Sequence, residues 1–315
     1  MNIKNKKILI SGGTGQIGSF LCEKLVECGS KVILIGRSTK NLEEKKILEN
    51  SSVEFVPFDI LLSEDENVFK KIEKVDFFIH LISNINPSKT NVFEDVINSI
   101  EINMDIVPKL LKKLTILKGI CYVSSVAVYG KPKYLPIDEN CPTNPITSYG
   151  CGKLGGEKLL KIYCTDNSIP LTILRMVPVY GPRNRSTQVI PTFIKKALHN
   201  EKIHLTGIKN RFRDFIYVTD AVDSIIASIE RNETDVYNIG SGVKIKINEI
   251  AEKIISIIKS KSIITKFYRK TDFDSILDIS KAENKLGFKP KTCLDEGLKY
   301  EIEWHKKIND TKMVN

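Results

Sequence analysis

The sequence predicts an α/β fold: a doubly wound parallel sheet of the Rossmann type with a smaller, interleaved C-terminal α/β lobe. Three observations predict it. Two apolar runs, residues 8–10 and 32–35, flank a Gly12-x-x-Gly15-x-x-Gly18 turn and a helical stretch over 16–28. Apolar strand-like runs then alternate with helix-like segments as far as 171–175. Beyond Arg175 that alternation loosens, which sets off the second lobe.

Taken in order, the run at 8–10 reads as a strand buried on both faces. The helix behind the glycine turn ends at Gly29, a C-cap residue. In such a strand–turn–helix unit, Gly12 permits the tight turn and Gly15 lets the backbone approach a pyrophosphate. Gly18 lets helix and strand pack closely, and the helix N-terminus, opened by Gln16 and Ile17, faces the anion. A dinucleotide site is therefore expected here. The second strand ends at Gly36-Arg37-Ser38. A carboxylate at this place would accept from an NAD ribose, whereas a guanidinium and a hydroxyl suit a 2′-phosphate, so NADP(H) is favoured. The alternative is a solvated Arg37 and NAD(H) held through other contacts.

A third strand over 53–58 leads to Asp59-Ile60, read either as an adenine contact or as a helix N-cap. The fourth strand, 75–82, encloses His80, which is expected to be buried and hydrogen-bonded. Helical periodicity covers 92–117 and includes Asn103. A fifth strand, 120–125, ends in Ser124-Ser125, and a proline-punctuated loop leads to a helix near Ser148. The sixth strand is 171–175. Further on, 189–198 reads as a helix, 211–218 as a short strand entering the helix 220–230, and 237–242 as a strand and turn rejoining the sheet. Two or three helices follow from residue 247, one starting at Asp278-Ile279-Ser280-Lys281. The predicted division is 1–174 for the dinucleotide, rejoined by 213–242, with 175–212 and 243–315 as the substrate-binding lobe.

Composition narrows the function classes. No run of eighteen apolar residues occurs, so no membrane span is expected, and no signal-like apolar stretch precedes the first strand. Seven scattered cysteines without a Cys-x-x-Cys pair argue against a disulfide framework or a metal site and suit a reducing cytoplasm. The formal charge of +10 is spread along the chain, without the compact basic–aromatic stretch of a nucleic-acid binder. It fits attraction of polyanionic small ligands or a general lysine bias.

The chemistry is expected at Ser125, Tyr149 and Lys153. Tyr149, Lys153 and Glu157 are spaced i, i+4, i+8 and share one helix face. A tyrosine hydroxyl titrates near 10, and a cation one turn away favours the phenolate. Ser125 would donate to a substrate carbonyl and Lys153 to the nicotinamide ribose, giving reversible hydride transfer at a carbinol carbon.

These residues resemble the extended branch of the short-chain dehydrogenase/reductases, the nucleotide-sugar epimerases, dehydratases and reductases. The resemblance spans nearly the whole chain. It rests on the glycine turn, Asp59-Ile60, His80-Leu81, Asn103, Ser124-Ser125, Val128-Tyr129-Gly130 and Tyr149-x-x-x-Lys153. Leu174-Arg175, Val179-Tyr180-Gly181-Pro182, 213–218, 238–242 and 278–281 complete the match. It implies a cofactor contact at Leu81, a substrate pocket including Ser125, Val126, Pro178, Val189 and Arg213, and a homodimer through a four-helix bundle of 92–117 and 149–166. Where related dehydratases carry an acidic pair, this chain has Val126-Ala127, which disfavours dehydration. Pro178 replaces a substrate-contacting asparagine, and Arg213, with Arg211 or Arg269, would hold the substrate diphosphate. An NADPH-dependent 4-ketoreductase is the favoured reaction. The alternatives are an NAD-dependent nucleotide-sugar 4-epimerase and a non-catalytic dinucleotide sensor.

Overall fold

The computed structural model describes residues 2–39, 45–57, 66–83, 92–207, 211–268 and 273–313. The strands of the first half are β1 (Lys7–Ser11), β2 (Lys31–Gly36), β3 (Val53–Pro57), β4 (Phe77–His80), β5 (Gly119–Ser125) and β6 (Leu171–Met176). Between them run α1 (Gln16–Glu27), α2 (Glu66–Ile72), α3 (Val92–Ile100), α4 (Ile106–Leu111) and α5 (Ser148–Asp166). The second half holds β7 (Val179–Tyr180), α6 (Val189–Leu198), β8 (Ile203–Gly207), β9 (Phe212–Arg213), β10 (Ile216–Tyr217) and α7 (Val218–Arg231). It closes with β11 (Asp235–Ile239), β12 (Ile245–Lys246), α8 (Ile247–Ile258), β13 (Ile264–Tyr268), α9 (Ser280–Leu286) and α10 (Leu294–Met313).

Seven strands form one parallel sheet in the order β11-β6-β5-β4-β1-β2-β3. This is the expected doubly wound α/β fold. Side chains of consecutive strand residues point to opposite faces, so Ile8 and Ile10 join one core with Leu21, Leu25 and Ile225, while Leu9 joins the other with Ile106, Leu110 and Leu160. The chain leaves β1 and β4 toward opposite sides of the sheet, and this reversal opens a crevice above their carboxyl ends. His80 is fully buried there, its Nδ1 2.8 Å from Ser11 Oγ and its ring stacked on Tyr122. A third core, built from Ile190, Ile194, Ile250, Ile254 and Leu298, fills the second lobe.

Four segments depart from the sequence expectation. The helix expected over 92–117 breaks into α3, a π-helical turn at Glu101–Asp105, and α4. Asn103 Nδ2 donates to Ser99 O at 2.9 Å, taking the acceptor that an α-helical N–H at residue 103 would use. The strand expected over 211–218 is two two-residue strands with different partners, β9 on β12 and β10 on β7. Between them, the buried Asp214 carboxylate accepts from Ser241 N, Ser241 Oγ and Gly242 N, which draws the chain out of the extended run. Finally, β8 and β13 pair in parallel though the sequence reading marked neither.

Helix α5 is fixed on the sheet by a buried polar network. Glu157 receives Arg175 Nε at 3.0 Å and Arg175 Nη2 at 2.7 Å, and Ser124 Oγ donates to the same carboxylate. Arg175 Nη1 reaches Tyr129 OH at 3.1 Å, and Tyr129 donates to Asn238 Oδ1 at 2.7 Å. The chain of contacts thus joins α5 to β5, β6 and β11. Replacing Arg175 by methionine strands a buried carboxylate and should cost about 3–5 kcal/mol in urea unfolding. The double variant Glu157→Leu with Arg175→Met should recover most of that loss.

Candidate active site

The glycine turn shapes the dinucleotide end of the crevice. Gly12 leaves β1 at φ 79°, and a Cβ there would sit 3.0 Å from the backbone nitrogen of Ile82. At Gly18 a Cβ would lie 2.5 Å from Gly12 O, so only glycine lets α1 approach the turn. Gly15 is the N-cap of α1, and no side chain caps it. The first-turn N–H groups are thus left for an anion, and the cradle is shaped by the absence of side chains. These residues fit a dinucleotide pyrophosphate.

A single cavity of about 950 Å³ extends from this turn into the second lobe. Gly12, Gly15, Gln16, Ile17, Gly18 and Leu81 line it, as do Ser125, Val126, Tyr149 and Lys153. Pro178, Val189 and Arg213 line its far half. Gly36 ends β2 beside the turn, where a Cβ would lie 3.6 Å from Thr14 Oγ1, and Arg37 and Ser38 follow it, but none of the three is among the lining residues. Arg37 is exposed. Asp59, Ile60 and Arg269 lie outside the described residues.

Thr147 caps α5 by accepting from Gly150 N at 3.1 Å, which places Tyr149 in the first turn, over the crevice. Ser125 ends β5 and accepts from Ala127 N at 3.2 Å. Ser125 and Ser83 are the polar side chains that act on the Tyr149 hydroxyl. Burial raises that hydroxyl above the usual tyrosine value, and the two serines oppose that shift. Lys153 is 1% exposed and donates to Val123 O at 3.0 Å and Ile82 O at 3.2 Å, with its ammonium 5.0 Å from the centre of the Tyr122 ring. Burial pushes that ammonium down to about 7, while Glu157 pulls it upward.

The Lys153 ammonium is thus held by two backbone carbonyls on the crevice side of α5. Glu157 shares the helix face but is engaged by Arg175 and Ser124 rather than aimed at the cavity. Ser83, Asp95 and Asn98 line the cavity without any motif to mark them. Arg183 and Arg185, readable as a basic pair after the 179–182 motif, line it too, together with Arg211 and His204. The far half is therefore rich in cationic side chains, suited to an anionic substrate. Hydroxyl groups, a buried tyrosine and a buried amine beside a dinucleotide cradle can move a proton to and from a carbinol oxygen.

Comparison with known proteins places this geometry. The profile of the NAD dependent epimerase/dehydratase family matches residues 8–240. A Methanocaldococcus jannaschii protein carrying the provisional name UDP-glucose 4-epimerase is 35% identical over 96% of this chain and 100% of its own. The solved epimerase of Methanothermobacter thermautotrophicus superposes with a TM-score of 0.88 at 26% identity, covering 98% of this chain and 94% of that one. The UDP-glucuronic acid 4-epimerase of Bacillus cereus, solved with NAD, superposes at 0.84 with 28% identity, covering 96% and 99%. The chain belongs to the NAD dependent epimerase/dehydratase family.

Proposed function

We propose that this enzyme is an NAD-dependent 4-epimerase of a UDP-sugar, with residues 1–174 serving the dinucleotide and 175–212 with 243–315 the substrate. The observation that carries the reading is the continuous cavity in which Tyr149 and Ser125 meet the glycine turn at one end and Arg185, Arg211 and Arg213 lie toward the other. Relatives named as 4-epimerases of UDP-sugars support this reaction over the NADPH ketoreductase that the sequence favoured. The family description and the neighbour solved with NAD likewise favour NAD over NADP(H), and Arg37 outside the cavity lining gives the 2′-phosphate reading no support. Val126 and Ala127 carry no acid or base for eliminating water.

Bound NAD supplies reversible hydride transfer at the sugar C4 carbon. Gly12, Gly15 and Gly18 would shape its pyrophosphate site, Lys153 would donate to the ribose, and the α1 N–H groups would receive the phosphates. Tyr149 takes the proton from the C4 hydroxyl and Ser125 holds the oxygen as it becomes a carbonyl. Arginines of the second lobe hold the diphosphate. Val126 and Ala127, both small and apolar, offer the sugar ring no hydrogen bond that would fix one face, so the 4-keto sugar can turn before Tyr149 returns the proton.

Tyr149→Phe should lower turnover by about 10²–10⁴-fold, the usual worth of a positioned proton donor, while cofactor affinity stays close to that of the parent. Nicotinamide fluorescence titration should show tighter binding of NADH than of NADPH. A preference for NADPH, together with net NADPH oxidation by 4-keto sugars, would return the reaction to a reductase.

A homodimer through α3 and α5 is part of the proposal. Phe93, Val96, Ile97 and Ile100 form an exposed apolar stripe at helical spacing, with Phe93 73% exposed, and Ile162 is exposed on α5. Ile97→Asp combined with Ile100→Asp should convert a dimer to a monomer in sedimentation velocity.

A further inference from the structure

The turn at 181–184 is held by two elements that are far apart in sequence. From the first turn of α1, Gln16 Nε2 donates to Gly181 O at 2.8 Å and Pro182 O at 3.1 Å. Further along α1, the Arg183 guanidinium sits 4.3 Å over the Phe20 ring and 2.8 Å from Glu23 Oε1. From α10, the buried Glu301 accepts Gly181 N at 2.8 Å through Oε2. Asn184, also buried, donates to Val179 O at 3.2 Å and accepts from Ser186 N at 3.0 Å.

The backbone shows that this turn is imposed by its surroundings. Gly181 has φ 131°, and Arg183 has φ 66°, a left-handed conformation that a side-chain-bearing residue rarely adopts. Residues kept in such conformations persist where neighbouring contacts over-determine them, and they concentrate at functional sites. Gln16, Phe20 and Glu23 are spaced i, i+4, i+7 along one face of α1. That helix presents its N-terminus to the dinucleotide phosphates, and both Gln16 and Arg183 line the cavity.

We propose that 181–184 is a brace across the crevice, with Gln16 and Arg183 as positioning residues that keep the dinucleotide bound through a complete turnover. The proposal rests on the epimerase reading. There, one carbon is oxidised and then reduced again by the same nicotinamide, so escape of the dinucleotide between the two half-reactions would release the 4-keto sugar. A reductase has no such need, because it exchanges its dinucleotide every cycle. The brace ties the helix under the phosphates to the lobe that holds the substrate, so α1 and the arginine-lined wall keep one spacing while the sugar turns.

The test compares the parent protein with Gln16→Ala, Arg183→Ala and the double variant, each purified without added nucleotide. NAD carried through gel filtration is quantified after denaturation, and NADH affinity is titrated by fluorescence. The parent is expected to retain NAD. Each single variant should bind NADH about tenfold more weakly, the size expected from losing one or two hydrogen bonds or an ion pair. Each should also release more 4-keto sugar per turnover, trapped with borohydride, while the melting temperature of the nucleotide-free protein falls by no more than about 2–4 °C, the size expected from the same lost bonds. Undiminished retention and affinity in the variants of an NAD-retaining parent would overturn the brace and leave the epimerase reading intact. Loss of NAD accompanied by a fall of about 10 °C or more in the nucleotide-free melting temperature, well beyond the loss of a few bonds, would also overturn it, by making the turn merely structural. A parent that retains no NAD and oxidises NADPH in bulk would overturn the epimerase reading itself, and the brace with it.

Discussion

A carboxylate buried beneath the active-site helix governs how this protein is put together. Glu157 has a side chain only 4% exposed and meets Arg175 through both oxygens. A two-point contact between planar groups tolerates little rotation, so it fixes the register of α5 against β6 as well as their distance. Ser124 and Tyr129 extend the constraint to the end of β5 and to Asn238 on β11. Tyr149 and Lys153 lie on the same face of α5, two turns and one turn before Glu157. Their placement beside the end of β5 therefore follows from an ion pair that lies outside the cavity lining.

The two halves of the cavity use different physics. The dinucleotide half is made of backbone: absent side chains at Gly12 and Gly18, and a helix start left uncapped at Gly15. The far half is made of long cationic side chains. Many of the remaining cations work inside the fold, so the net charge of +10 is not simply a field for ligands. Lys281 donates to Asp235 and to Val236 O, pinning α9 to the edge strand, and Lys285 pairs with the same Asp235.

What was legible in the sequence was local. The strand–turn–helix at 8–28 and the helix of Tyr149 and Lys153 are written in periods of two and of 3.6 residues, and they stand where those periods place them. Helix α6 coincides with its expected bounds for the same reason. What was not legible depends on partners far along the chain. Strands β8 and β13 are short, and each is stabilised by the other rather than by its own pattern. The break at Asp214 depends on amides at 241 and 242, and the hold on Gly181 depends on residues 16 and 301. The choice between NADP(H) and NAD(H) was not legible for a related reason. Arg37 has the residue type that suits a 2′-phosphate, but residue type says nothing about where an exposed side chain reaches. The proton-moving roles proposed for Ser125, Tyr149 and Lys153 serve a reductase and an epimerase alike, so those residues could not separate the two.

The strand order has a further bearing on biosynthesis. β11 completes the large sheet by pairing with β6, yet the chain first builds β7 through α7 before returning to it. A nascent polypeptide leaving the ribosome can thus assemble six strands while the outer side of β6, Leu171 to Met176, offers unpaired amides and carbonyls in a wholly buried-type sequence. Until residues 235–239 emerge, that bare margin is the place where a foreign strand would pair most readily, so premature termination anywhere in the excursion yields an aggregation-prone fragment.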